Sequence, residues 1–207
     1  MVDQTEIPEG VHEQVEEAES QERRGEGFRR LAAMYLGVVA MLLAVSSLGG
    51  GHATKEMLGA NIHASDTYAF AQAKYLRETA YQLAAEQFEA QIAAQPAMPD
   101  AAKASMTAAI EKYRAAAARY ESDPASGEGR KELLVKAKGW EAVRDHAEAQ
   151  DPNFEFAAAL FQIAIVLGSV AIVALSRSLL VLSGVLALGG VVLALNGFLL
   201  IVPLPGG

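Results

Sequence analysis

Three long runs without charged side chains constrain this chain more than any other feature. The first extends from Phe28 to Leu48 and carries no charge after Arg30, and the other two are residues 156–175 and 179–202. Each run reaches the ~20 residues that an α-helix needs to cross a bilayer. A soluble bundle would need three buried, uncharged helices of that length in one small protein. The runs therefore predict an all-α integral membrane protein with transmembrane helices at 28–50, 156–175 and 179–202.

Arginines at the ends of these runs predict the orientation. Four of them lie just before the uncharged part of the first run, namely Arg23, Arg24, Arg29 and Arg30. Arg177 lies in the short turn between the other two runs. Lys and Arg in short flanks stay on the cytoplasmic side. We therefore expect a bacterial inner-membrane protein with a cytoplasmic N-terminus and a periplasmic segment at 51–155.

The two ends of the chain differ in composition from the runs. Residues 1–27 are acidic and poor in large apolar side chains, which predicts a cytoplasmic tail that is disordered or loosely helical. Residues 203–207 form a short tail on the outer side. The first run is longer than the apolar part of a typical signal peptide, so we expect it to be an uncleaved anchor.

The segment 51–155 has the pattern of an antiparallel helical hairpin, a coiled-coil-like stalk. Apolar residues recur every three or four positions, as in coiled coils. Breaks at Gln95–Asp100 and Ser122–Gly129 predict one long helix to Ala94 and two shorter helices, the first with Asp100 as N-cap. The predicted inner faces are Ile62, Ala69, Ala73, Leu76, Ala80, Leu83 and Ala90; Met106, Ile110, Tyr113, Ala117 and Tyr120; and Leu133, Ala137, Trp140, Arg144 and Ala147.

Two short motifs are predicted to mark where helices leave the membrane. Gly49-Gly50-Gly51 is interpreted as a kink after the first span, since it lacks the Lys-Ser/Thr of a phosphate-binding loop. Asp151-Pro152-Asn153 is interpreted as a boundary before the second span.

Each predicted span carries small residues spaced three and four apart. The stripes are Ala33, Gly37, Ala40, Ala44 and Ser47; Ala157, Ala164, Gly168 and Ala171; and Ser183, Ala187, Gly190, Ala194 and Gly197. Small faces let helix backbones approach closely in lipid, where no hydrophobic effect drives helix association. The stripes predict a tight bundle or an oligomer.

Polar residues near the membrane end of the predicted hairpin form the candidate site. Folding the hairpin places Asp66 near residues 139–141 and Arg144 near 61–63, which predicts a salt bridge that fixes register. The full candidate layer is Asn61, Asp66, Gln72, Lys74, Arg77, Trp140, Glu141, Arg144 and Asp145.

A metal site is a more specific alternative function for the same region. His63 and Asp66 are three residues apart on one helix, and His146 would approach from the facing helix, which makes these three weak candidate ligands. The sequence contains no nucleophile elbow, paired-Cys motif or His-Glu-x-x-His motif. We therefore expect no enzyme activity, no cofactor and no nucleic-acid partner.

Several segments together resemble a bacterial family of three-span membrane proteins, domain-of-unknown-function family 4337. The segments are "HATKE", "ASDTYAFAQAKYLR", "KAKGWEAVRD" and "FEFAAALFQIAIVLGSVAI". Asp66, Gln72, Lys74 and Arg77 match the family pattern, while Tyr68 and Ala71 stand where it has Trp and Tyr. The resemblance covers about residues 29–200 and implies a topology without a particular activity.

The expected function is that of a non-enzymatic, oligomeric inner-membrane scaffold or partner-binding subunit. Expected partners are membrane lipid, further copies of the chain, and a membrane or periplasmic protein. The alternatives are a small oligomeric channel or transport accessory, and a metal or ligand sensor that uses the polar layer.

Overall fold

The computed structural model describes the backbone of residues 9–202 and the side chains of residues 25–202. Within that range the chain forms four α-helices and no strand: α1 (Glu9–Ala94), α2 (Asp100–Glu121), α3 (Arg130–Ala174) and α4 (Arg177–Leu199). Stretches of α1, α3 and α4 are long and apolar enough to cross a membrane. The all-α class is therefore confirmed for the described residues, and three of the helices have the length and apolar composition that a membrane span requires.

The chain divides into two compact units. Of the described residues, the first unit includes 9–54 and 148–202, and the second includes 55–147. The backbone of residues 9–27, within the predicted acidic tail, belongs to α1 and is helical. Residues 1–8 of that tail and the predicted tail at 203–207 lie outside the described residues.

Phe161 lies at the centre of the first unit. Its fully buried ring packs with Val39 of α1 and Ala187 of α4, and Ala157 and Ala164 complete the cluster. A Cβ atom added to Gly190 would lie 2.8 Å from the ring, so only glycine admits this approach. The small stripes of α3 and α4 are used in this way, to bring helices of one chain together.

The predicted kink at Gly49–Gly51 has a different explanation in the structure. α1 continues as a helix through these glycines. The ring of Phe154 lies so close that a Cβ on Gly49 would be 2.7 Å from it, and one on Gly197 would be 2.9 Å away. Phe198 meets the same ring edge-on, at 4.7 Å between centroids. The glycines accommodate an aromatic side chain.

α3 runs without a break through Asp151-Pro152-Asn153, the motif predicted to mark a boundary before the second span. Proline removes a backbone donor and crowds the preceding turn. The buried side chain of Asn153 donates to the Ala149 carbonyl at 3.0 Å and accepts from Asn196 at 2.6 Å. Asn196 also donates to the Val202 carbonyl and accepts from its N–H. Side-chain amides thus supply polar contacts around the proline turn and the end of α4.

In the second unit the predicted inner faces of α2 and α3 are confirmed, but that of α1 is wrong. Buried residues on α2 and α3 include Ile110, Ala117, Leu133, Ala137 and Ala147. On α1 the buried positions are Ala60, Ala64, Ala71, Glu78 and Ala85. The larger residues predicted for that face, Ile62, Leu76 and Leu83, are 59%, 61% and 53% exposed. The helix carries two stripes with similar spacing, and the alanine stripe packs inside the chain because it allows closer approach.

Glu132 stabilises the connection between α2 and α3. Its carboxylate accepts from the Ser122 hydroxyl at 2.6 Å and from the Asp123 N–H at 3.1 Å. The Ser122 hydrogen bond is the main cause that holds the pKa of Glu132 below its ordinary value. Gly127 supplies the positive φ, +68°, that the turn needs. At the other end of α2 the N-cap is Pro99, and the predicted cap Asp100 is the first helical residue.

Candidate functional site

The predicted salt bridge between Asp66 and Arg144 is wrong in this structure. Arg144 pairs with its neighbour Asp145, with 2.7 Å between Nη2 and Oδ1. Asp66 is exposed and has no ion-pair partner among the described residues. The pairing depended on the α1 register, and the buried alanine stripe rotates Asp66 away from the packed face. Asn61 and Gln72, also predicted for the layer, are exposed as well.

Trp140 and Glu141 do contact α1, although with other partners than predicted. The Trp140 ring stacks on His63, with centroids 4.6 Å apart and an angle of 26° between the planes. Partial burial and a hydrogen bond with the Glu141 carboxylate raise the pKa of the Tyr68 hydroxyl. Within residues 25–202 no group of three or more His, Cys, Asp or Glu is placed to hold a metal ion. The weak candidates His63, Asp66 and His146 are therefore not brought together.

An ion pair that the sequence analysis missed joins α1 to the start of α3. Glu78 Oε2 accepts from Arg130 Nε at 2.7 Å, and Oε1 accepts from Nη2 at 3.4 Å. The Glu78 side chain is 7% exposed and that of Arg130 is 26% exposed. The hydrogen bond with Glu78 is the main cause that raises the pKa of Arg130. The sequence signal was the position of Glu78, seven residues from both Ala71 and Ala85 on the buried stripe.

Aromatic rings join α1 to α2 further along the second unit. Tyr81 stacks on Tyr120 with centroids 5.7 Å apart and contacts Tyr113 at 5.8 Å. Phe88 stacks on Tyr113 at 5.9 Å. Residue numbers increase along α1 while those of the partner rings decrease along α2. The two helices are therefore antiparallel where these rings meet.

Lys74 and Arg77, two predicted site residues, lie beside this aromatic cluster. The Lys74 ammonium is 4.8 Å from the Phe70 ring centroid and 5.8 Å from that of Tyr120, and it pairs with Glu128 at 3.4 Å. The Arg77 guanidinium is 5.9 Å from the Tyr120 centroid. Cations over ring faces at this range are attracted by the ring quadrupole. The structure thus brings Lys74 and Arg77 together beside Tyr120.

Each unit leaves one regular stripe of α1 exposed. In the second unit it is the apolar stripe, Ile62, Ala69, Ala73, Leu76, Ala80, Leu83 and Ala90, and every member is exposed. In the first unit it is the small-residue stripe, Ala33, Gly37, Ala40, Ala44 and Ser47, also exposed throughout. The corresponding stripes of α3 and α4 are buried or nearly so within the chain. Among the helices of the described residues, α1 is the one on which predicted packing stripes remain exposed.

A family model matches most of the chain. The family model described as Domain of unknown function (DUF4337) matches residues 28–200. No curated protein matches the chain, and no solved structure does.

Proposed function

The chain belongs to the Domain of unknown function (DUF4337) family, and from its own surfaces we propose that it is a non-enzymatic membrane scaffold that self-associates through α1. In this proposal three spans anchor each copy in the bacterial inner membrane. The second unit forms an antiparallel helical stalk that supports the copies and presents a surface to a membrane or periplasmic protein. The observation that carries the proposal is the open stripe of α1 in the second unit.

The spacing of the apolar stripe is typical of a helix face that packs against another helix, and we assign that helix to a second copy of the chain. Ile62, Leu76 and Leu83 are separated by multiples of seven, the repeat that keeps one helix face against a partner helix. Each is more than half exposed, although its neighbours on the opposite face of the helix are buried. Burial of one such side chain is favourable by about 1.5–3 kcal/mol. A stripe of this length would supply a substantial part of an oligomer interface.

The small-residue stripe supports pairing with a second copy of the chain inside the bilayer as well. Ala33, Gly37 and Ala40 present little more than backbone, which suits close packing of two helices in lipid. Copies inserted with the same orientation carry their α1 helices in the same direction. Parallel, in-register pairing is therefore the arrangement that identical stripes in one membrane favour.

The proposed orientation has a cytoplasmic N-terminus and a periplasmic second unit. It is supported by the arginines that precede the first span. A membrane-impermeant maleimide should label a cysteine placed at Ser126 in intact spheroplasts, and a cysteine at Ser20 only after lysis. The opposite pattern would overturn the orientation.

Mass measurement of the complex in mild detergent tests self-association. We expect the native chain to run as a multiple of its single-chain mass. Leu76→Lys with Leu83→Lys should shift the complex towards monomer, because two charges would be buried without partners. Gln82→Lys, on another exposed face of α1, is the matched control and should leave the mass unchanged. A monomeric native chain, or equal effects of both variants, would refute the proposal.

A further inference from the structure

A cavity of about 580 Å³ opens in the second unit between α1, α2 and the connection that follows α2. Three cations and two tyrosines stand in its wall: Lys74, Arg77, Arg119, Tyr81 and Tyr120. A second cavity of about 420 Å³ adjoins it and shares Arg77, Tyr81 and Tyr120. Its remaining lining is Ala80, Ala84 and Tyr113. The pair of cavities therefore has a charged end and an apolar end, in the size range of small-molecule sites.

The charged end carries one positive charge in excess. Lys74 pairs with Glu128 at 3.4 Å, and Arg119 pairs with Asp123 at 3.2 Å. No carboxylate of the described residues lies within ion-pair distance of Arg77, whose contact is the Tyr120 ring. The hydrogen bonds from Ser126 and from Arg119 hold the pKa of Asp123 below its ordinary value.

The apolar end is flat and aromatic. The rings of Tyr81 and Tyr120 stack at 12° between their planes, and the Tyr113 ring lies tilted by 40° to that of Tyr81, with centroids 5.8 Å apart. Ala80 and Ala84 contribute short apolar side chains to the same cavity. An apolar group placed here gains contact area without displacing a polar side chain.

We propose that these adjoining cavities bind a small organic monocarboxylate, with its carboxylate on Arg77 beside Lys74 and its apolar body against Tyr81 and Tyr113. A guanidinium donates two parallel hydrogen bonds to a carboxylate, which fixes the orientation of the acid. A dianionic phosphate would place a second negative charge beside Glu128 and Asp123, with no further cation to offset it. The uncompensated charge therefore selects a monoanion.

Ligand-observed ¹⁹F NMR with 4-fluorobenzoate and the full-length protein in detergent micelles tests this site. We expect line broadening beyond that in empty micelles, and no comparable broadening of neutral 4-fluorobenzyl alcohol. Arg77→Gln should raise the Kd at least about tenfold, because it removes a charge-assisted bidentate contact. Arg114→Gln, which removes a cation of α2 outside both cavities, should change it by less than about twofold.

Competition distinguishes the kinds of ligand. Displacement of the probe by unlabelled benzoate or octanoate supports the site, and the better competitor shows whether the body is planar or linear. Displacement by inorganic phosphate at equal concentration would overturn the choice of a monocarboxylate. Binding that survives Arg77→Gln, or that falls equally in Arg114→Gln, would refute the site. Arg77→Lys retains the charge and should keep binding within about tenfold, while unchanged Trp140 fluorescence shows that each variant is folded.

Discussion

Replacement of Glu78 by Gln should destabilise the second unit more than any other single change of charge on α1. The variant keeps the shape of the side chain but removes the carboxylate that accepts two hydrogen bonds from Arg130. Breaking a fully buried ion pair costs about 3–5 kcal/mol, and hydrogen bonds to charged groups contribute about 1.5–3 kcal/mol each. Because the Arg130 side chain is 26% exposed and can be hydrated in part, we expect a loss of about 2–3 kcal/mol.

The single tryptophan makes this loss measurable. Trp140 lies in the second unit and stacks on His63, so its fluorescence reports the unfolding of that unit. For a denaturant slope of about 1–1.5 kcal/mol per molar, the urea midpoint in mild detergent should fall by about 2 M.

Two further variants complete the test. Glu86→Gln removes an exposed acid from the same helix and should cost less than about 0.5 kcal/mol. The double replacement Glu78→Leu with Arg130→Met should recover much of the loss, since apolar side chains of similar volume often replace a buried pair without penalty. Equal midpoints for Glu78→Gln and Glu86→Gln would refute the importance of the pair.

Further predictions concern the glycine contacts and the turn. Gly197→Ala should lower the thermal midpoint of the purified protein, by an amount equivalent to about 1–3 kcal/mol, because the new Cβ would lie 2.9 Å from the Phe154 ring. Gly184→Ala, which meets nothing within 4 Å, should leave the midpoint unchanged; equal effects would contradict the packing. Glu132→Gln should destabilise the second unit at pH 7 and lose its effect in acid. The folded-state pKa of Glu132 lies below the ordinary 4.5, so its contribution is present above that pH and disappears as pH falls through the folded value. A difference from the native chain that persists at pH 2 would contradict this reason.

The sequence alone could predict the spans and the inner faces of two helices. A helix that crosses a bilayer needs about 20 uncharged residues. Residues 156–175 and 179–202 meet this requirement, so few structures other than membrane spans were compatible with them. On α2 and α3 only one apolar face exists at the right spacing, and Ile110 and Leu133 lie on it. These predictions depended on strong local patterns.

The local sequence pattern did not determine which face of α1 is buried. This helix carries an alanine stripe through Ala64 and Ala71 as well as the stripe through Leu76 and Leu83. Hydrophobicity favours the larger residues, whereas close approach within one chain favours alanine. The predicted pair between Asp66 and Arg144 failed with the register, since a small rotation of a helix moves a side chain to another face.

The contacts of Lys74 and Arg77 with Tyr120 could not be predicted from the spacing of residues in the sequence. Lys74 and Arg77 meet Tyr120 only because α2 returns along α1 with its tyrosines in register with Tyr81. That register depends on the length of the break after Ala94 and on the packing of Ile110. Glu78 did leave a signal, as an acid within a stripe of alanines.

Cysteine cross-linking in native membranes tests most directly whether α1 joins identical copies. The chain has no cysteine of its own, so Leu76→Cys gives one reactive thiol per copy. Parallel, in-register helices bring equivalent stripe positions within the ~4.4–6.8 Å between Cα atoms that a disulfide requires. We predict a covalent dimer for Leu76→Cys on mild oxidation and none for Gln82→Cys on another face of the same helix. Absence of the dimer in Leu76→Cys, or equal dimer in both, would contradict association through α1.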